Sequence, residues 1–155
     1  PEVNYLGVEV HKPGVARVLR QIEKRGISNL RLVHNDAVEV IRDMIADETF
    51  DGCHIFFPDP WPKKRHHKRR LVQPGFPPFL ARVLRPGAYV YLVTDWEEYA
   101  HQMLEVFEAA AEFENRHEGF APRQEWRPRT PFEEKGLARN HQIHELYFTK
   151  KAPVV

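Results

Sequence analysis

A doubly wound α/β fold with a mostly parallel sheet is predicted by three features of the sequence. Short apolar runs alternate with helix-period segments four times over. Four of the apolar runs end at a carboxylate, at Glu9, Asp36, Asp59 and Asp95. One run, Cys53-His54-Ile55-Phe56-Phe57, is almost continuously apolar, which predicts a strand buried on both faces.

The elements follow in order. Tyr5 to Val10 reads as a strand. Pro13 opens a helix with Val15, Val18, Leu19 and Ile22 on one face, and Gly26 ends it. Leu30 to Val33 is the second strand. Ala37 to Ile45 is helical, with Val38, Ile41 and Ile45 at core spacing. The Cys53 strand leads into a basic loop. Phe79 to Leu84 reads as the end of a helix, stopped by Pro86-Gly87. Ala88 to Val93 is the fourth strand. Trp96 to Ala111 is a helix with Tyr99, Met103, Val106 and Phe107 along one side. Glu112 to His117 reads as a further short strand, Gly119 to Arg129 as a Pro/Arg-rich loop and Ile143 to Thr149 as the last strand.

The 155 residues are enough for one domain with a real core, predicted over 1–155. No apolar run approaches the roughly 20 residues of a membrane span, and a cytoplasmic location fits. The single cysteine, Cys53, excludes an intramolecular disulfide. The histidines are scattered, or sit among cations like His66 and His67, so no metal site is predicted. Net charge is only +1, yet Lys63, Lys64, Arg65, Lys68, Arg69 and Arg70 lie within eight residues. Without those six, 17 basic residues face 22 acidic ones. Repulsion at that density calls for a polyanion, and nucleic acid is the natural one.

In doubly wound sheets ligands bind at the carboxyl ends of strands. Glu9 fits poorly in a strand unless it meets a partner such as a ribose hydroxyl pair. Asp36 and Asp95 each precede a helix, and capping is the plain alternative; Glu98 three residues beyond Asp95 resembles a capping box. Asp59 lies in Phe57-Pro58-Asp59-Pro60-Trp61-Pro62, where prolines stiffen the loop. The acid and indole could bind a base, or the stretch could be a surface turn with Trp61 on the core. Thr130-Pro131-Phe132-Glu133 reads as an N-cap with Pro at the first helical position. Alternatively Phe132 or Glu133 meets a nucleotide, the glutamate accepting from guanine's N1 and N2 edge.

Together these stretches resemble the tRNA (guanine-N7-)-methyltransferases. The resemblance rests on Leu6-Gly7-Val8-Glu9-Val10-His11, Asn35-Asp36-Ala37-Val38-Glu39 and Phe56-Phe57-Pro58-Asp59-Pro60-Trp61 with Lys63 and Lys68-Arg69-Arg70. Thr94-Asp95-Trp96 and Thr130-Pro131-Phe132-Glu133 complete it. It implies a Rossmann-like class I methyltransferase fold, S-adenosylmethionine as cofactor and a guanine of the tRNA variable loop as target. It further implies that Glu9 binds the cofactor's ribose, that Asn35, Asp36 and Ala37 line the adenine pocket, and that Asp59 is the active-site acid near both cofactor and guanine. Lys63, Asp95, Thr130, Pro131, Phe132 and Glu133 would contact the substrate nucleotide. Arg65, His66, His67, Lys68, Arg69 and Arg70 would hold tRNA phosphates.

The family carries a strand and a glycine-rich loop upstream of the segment matching Glu9, whereas this sequence starts at Pro1. An N-terminally truncated polypeptide is therefore expected, with the edges of two neighbouring strands exposed. Guanine N7 has a free lone pair and no proton, so Asp59 is predicted to position groups rather than abstract a proton. Three alternatives stay open at this point: an amino-group nucleic-acid methyltransferase, a non-catalytic tRNA-binding module, and a small-molecule α/β enzyme whose basic loop is only solvated surface. The oligomeric state, monomer or homodimer, is open as well.

Overall fold

A computed structural model describes residues 2–153. The predicted single domain of 1–155 includes three residues outside that range. Two compact units make up the chain, residues 1–46 and 47–155.

In the first unit, strand β1 (Tyr5–Glu9) pairs in parallel with β2 (Leu30–His34), placing Glu9 opposite His34. Helix α1 (Lys12–Arg25) connects them. Gly26 ends α1 in the left-handed region at φ 60°, and the Ile27 N–H donates to the Ile22 carbonyl at 3.0 Å. Helix α2 (Ala37–Met44) follows β2. The predicted apolar faces are only partly covered: Leu19 and Val38 are exposed, Ile41 and Ile45 are half-buried, and Val40 is the buried residue of α2. A two-stranded sheet offers a small area for packing.

The second unit holds a four-stranded sheet in the order β3-β4-β6-β5. These are β3 (Phe50–Phe56), β4 (Leu84–Thr94), β5 (Phe113–Asn115) and β6 (His144–Lys150). β3 and β4 are parallel; β6 runs antiparallel to both β4 and β5. Helices α3 (Phe76–Ala81), α4 (Glu97–Glu108) and α5 (Pro131–Ala138) complete the unit. Val90, Leu92, Leu146 and Phe148 are buried, as are Tyr99, Met103 and Phe107 of α4.

Two expectations are corrected. The strand buried on both faces is β4, where Val90 to Val93 are fully enclosed. β3 is an edge strand in which no residue is fully buried, because it pairs with β4 alone. Within β3 the Cys53 sulfur is nonetheless desolvated, which pushes its thiol up to about 12. Leu84 opens β4 rather than ending a helix. Its partner is Phe50, and the next pair is Gly52 with Tyr89. Pro86 and Gly87, the latter at φ 83°, are absorbed in that irregularity. A Cβ at Gly52 would sit 2.3 Å from the Tyr89 ring, so any larger residue there would have to displace that ring.

Candidate active site

The acids of the first unit stand at the carboxyl ends of its two parallel strands. Glu9 Oε1 accepts from the His11 backbone N–H at 2.9 Å. Beyond β2, Asn35 Oδ1 accepts from the Asp36 N–H at 2.7 Å. Asp36 Oδ1 caps α2, accepting from Val38 N at 2.9 Å and Glu39 N at 3.4 Å. Asp36 is exposed, while Asn35, Ala37 and Glu9 are half-buried. Capping occupies one oxygen of Asp36 and is compatible with a ligand at the other.

In the second unit the loop after β3 is held in a constrained form. Phe57 (φ 50°) and Trp61 (φ 41°) both lie in the left-handed region, costly for aromatic residues. Between them Asp59 Oδ1 accepts from the Trp61 N–H at 3.0 Å. The Phe57 N–H is anchored on the Val93 carbonyl of β4 at 2.7 Å. Trp61 is half-buried against the basic stretch rather than the core: the Arg69 guanidinium lies 5.1 Å over its ring, and His66 meets it edge-on at 5.9 Å.

The basic stretch forms a short 3-10 turn over Lys64–Arg69. Lys63, Lys64, Arg65, Lys68 and Arg69 are exposed, with His66 and His67 half-buried. Arg70 is different. Its side chain is wholly enclosed, donating to the Pro60 carbonyl (2.6 Å), Gln102 (2.6 Å) and both oxygens of Glu98 (3.1 and 2.5 Å). The guanidinium also covers the Tyr99 ring at 4.7 Å. Bonding to Arg70 holds the Glu98 carboxyl below the usual range. Glu98 is thus an ion-pair partner, not the capping-box member its spacing suggested.

Asp95 departs from its predicted cap as well. The N-cap of α4 is Trp96, and Asp95 Oδ2 instead meets His141 Nδ1 at 2.9 Å. Gly136 of α5 packs on the same carboxylate, where a Cβ would come within 2.9 Å of Oδ2. The N-terminal turn of α5 is the predicted Thr130–Glu133 motif. Thr130 Oγ1 caps it, accepting from the Glu133 N–H at 3.1 Å. Phe132 is 63% exposed and its ring stacks with Phe57 at 6.2 Å. Glu133 turns inward and is 3% exposed, in a two-pronged ion pair with Arg127 at 2.7 and 3.1 Å. That bonding holds the Glu133 carboxyl below the usual range.

The structure therefore brings together the Asp59 loop, the basic turn and the α5 turn within one unit. Arg127, Glu145 and His141 were missed by the sequence reading. Glu145 carried a usable signal: an acid inside an apolar strand calls for a partner. Nothing marked which arginine of the 119–129 loop would supply it.

A family model described as "Putative methyltransferase" matches residues 1–146. The chain belongs to this methyltransferase family. Relatives carry more specific names: the tRNA (guanine-N(7)-)-methyltransferase of Ralstonia nicotianae is 55% identical over 152 residues. That of Dechloromonas aromatica is 53% identical over 150 residues. The alignments take in 98% and 97% of this chain but 61% of each relative, so the chain spans about three fifths of their length. Solved methyltransferases share the fold. A SAM-dependent methyltransferase from Aquifex aeolicus superposes with a TM-score of 0.59 at 14% identity, covering 95% of this chain and 69% of that one. An rRNA methylase from Streptococcus thermophilus gives 0.59 at 12% identity, over 96% and 74%. The Rossmann-like methyltransferase architecture predicted from the sequence is thereby established.

Proposed function

We propose that the protein transfers a methyl group from S-adenosylmethionine to N7 of a guanine in the variable loop of tRNA. The observation that carries this reading is the meeting of the Asp59 loop with the α5 turn through Phe57 and Phe132, beside an exposed basic turn. The names of the relatives support the choice of base and RNA.

The cofactor's chemistry matches what the first unit offers. Glu9 and Asp36 stand at the ends of adjacent parallel strands, and two carboxylate acceptors suit a ribose diol and an adenine amino edge. Glu9, Asn35, Asp36 and Ala37 would hold the nucleoside part. When bound, S-adenosylmethionine supplies a methyl group on a positively charged sulfur.

The protein's own work is alignment. N7 is already nucleophilic, so no residue has to remove a proton from it. Asp59 is fixed by its bond to the Trp61 amide and by flanking prolines, and serves as a rigid acceptor. Lys63 and Asp95 would orient the nucleotide. Thr130 and Pro131 set the turn that presents Phe132 to the base, and Glu133 holds that turn from within. Arg65, Lys68 and Arg69 would take phosphates, with His66 and His67 beside them. Arg70, enclosed and bonded to Pro60, Glu98 and Gln102, would anchor the turn from within rather than take a phosphate.

Nucleoside mass spectrometry after incubation with S-adenosylmethionine and unmodified tRNA tests the proposal. Appearance of 7-methylguanosine is the expected result. A different methylated nucleoside overturns the base assignment. Salt-dependent tRNA binding with no methylation overturns the enzymatic reading in favour of a binding module.

A further inference from the structure

We propose that Arg127 is a positioning residue for the substrate-facing turn 130–133, acting through Glu133. This rests on the reading that the turn meets the target nucleotide.

The Arg127 side chain is wholly enclosed and tied to three parts of the unit. Nη1 and Nη2 donate to the two oxygens of Glu133 in α5 at 2.7 and 3.1 Å. Nε donates to Glu145 of β6 at 3.2 Å, and Glu145 also receives the Tyr91 hydroxyl of β4. The guanidinium further lies 5.9 Å over the Phe56 ring, at the end of β3 that leads into Phe57 and Asp59.

A buried ion pair is weak evidence of stability, because apolar side chains of the same volume hold a core as well. What the guanidinium adds is direction. Its planar fork fits the carboxylate in one orientation only. Glu133 is therefore fixed at its side chain by Arg127 and at its backbone N–H by Thr130 Oγ1. With both ends fixed, the turn holds Glu133 inward and Phe132 outward, 3% against 63% exposed. Glu133 consequently acts by holding the turn, and Phe132 is the member presented to the base. One cation also ties that turn to the strand that positions Asp59. Lysine cannot reproduce this, since its ammonium is a point charge without a fork.

The test uses Arg127→Lys and Glu133→Gln in the full chain. The unaltered protein is first assayed for 7-methylguanosine; its absence would refute the functional reading without bearing on Arg127. Two measurements then address the turn. Amide hydrogen exchange at Glu133 and Glu134, whose N–H groups bond to Thr130, should accelerate about tenfold or more in both variants, with Leu92 of β4 unchanged. In steady-state kinetics the KM for tRNA should rise about tenfold, the scale of one lost bond to a charged group, while the KM for S-adenosylmethionine stays within about twofold. Wild-type exchange at the turn, or wild-type kinetics per folded molecule alongside a lowered Tm, would overturn the proposal and leave Arg127 a stabilising residue only. Should Arg127→Lys fail to fold, Glu133→Gln decides alone, because it keeps the size of the side chain and one of its acceptors.

Discussion

The rings of Phe57 and Phe132, 75 residues apart in sequence, stack with centroids 6.2 Å apart and planes 23° from parallel. One ring stands directly after β3 and the other on the first turn of α5. Phe132 keeps most of its surface in solvent. Replacing it with alanine should cost about 0.5 kcal/mol of stability or less, yet reduce kcat/KM for tRNA about tenfold. Urea denaturation and methyl-transfer kinetics on one preparation check both halves.

Asp59 gives a second prediction. Asparagine retains the oxygen that accepts from the Trp61 amide; alanine does not. Asp59→Asn should keep most of the turnover and Asp59→Ala should lose about a hundredfold or more. Equal large losses in both would show that the negative charge itself is needed.

Arg70 and Lys68 are neighbours in a basic stretch but should behave oppositely. Arg70→Ala leaves the Pro60 carbonyl and Gln102 without their donor and should cost about 2–3 kcal/mol of stability. Lys68→Ala should leave the unfolding midpoint unchanged and reduce the slope of log K against log salt for tRNA binding by about 1. Denaturation curves and a salt titration separate the two roles.

The lowered Glu133 carboxyl has a pH consequence with a definite sign. A depressed folded-state pKa adds stability that is complete above the unfolded value of 4.5 and is lost as pH falls through the folded one. Wild-type stability should therefore fall between about pH 5 and pH 3. Glu133→Gln should fall less steeply over the same interval. Stability measured at both pH values for both proteins reads this directly; parallel slopes would refute it.

Gly136 lies within α5, where alanine is ordinarily better by about 1 kcal/mol. Here the added methyl would come 2.9 Å from an Asp95 carboxylate oxygen. Gly136→Ala should lower Tm instead of raising it, and a raised Tm would mean that Asp95 gives way freely.

Much of the architecture was legible because apolar periodicity is local. Gly26, Asp36 and Thr130 close or open helices through contacts within a few residues, and the sequence identified each. Burial was less legible. β3 and β4 are both apolar runs, and only the sheet order makes one an edge and the other a centre. At the site, the Phe57–Asp59 loop and the 130–133 turn could be named but not joined. The ion pairs of Arg70 and Glu133 were hidden for the same reason. Their partners, Glu98, Gln102 and Arg127, belong to other elements, and residue type alone does not say which way a charged side chain turns.

The order of the sheet also bears on how the polypeptide emerges during synthesis. β6 sits between β4 and β5, yet it follows both in the sequence. At about 5–20 residues per second, adding residues 95–150 takes roughly 3–10 s. Throughout that interval one side of β4 waits without its neighbour, joined by β5 once Asn115 has been added, with Val90 and Leu92 among the surfaces to be closed. A nascent chain is thus exposed to chaperone capture, or to misassembly with a neighbouring nascent chain, until the strand beginning at His144 has been made.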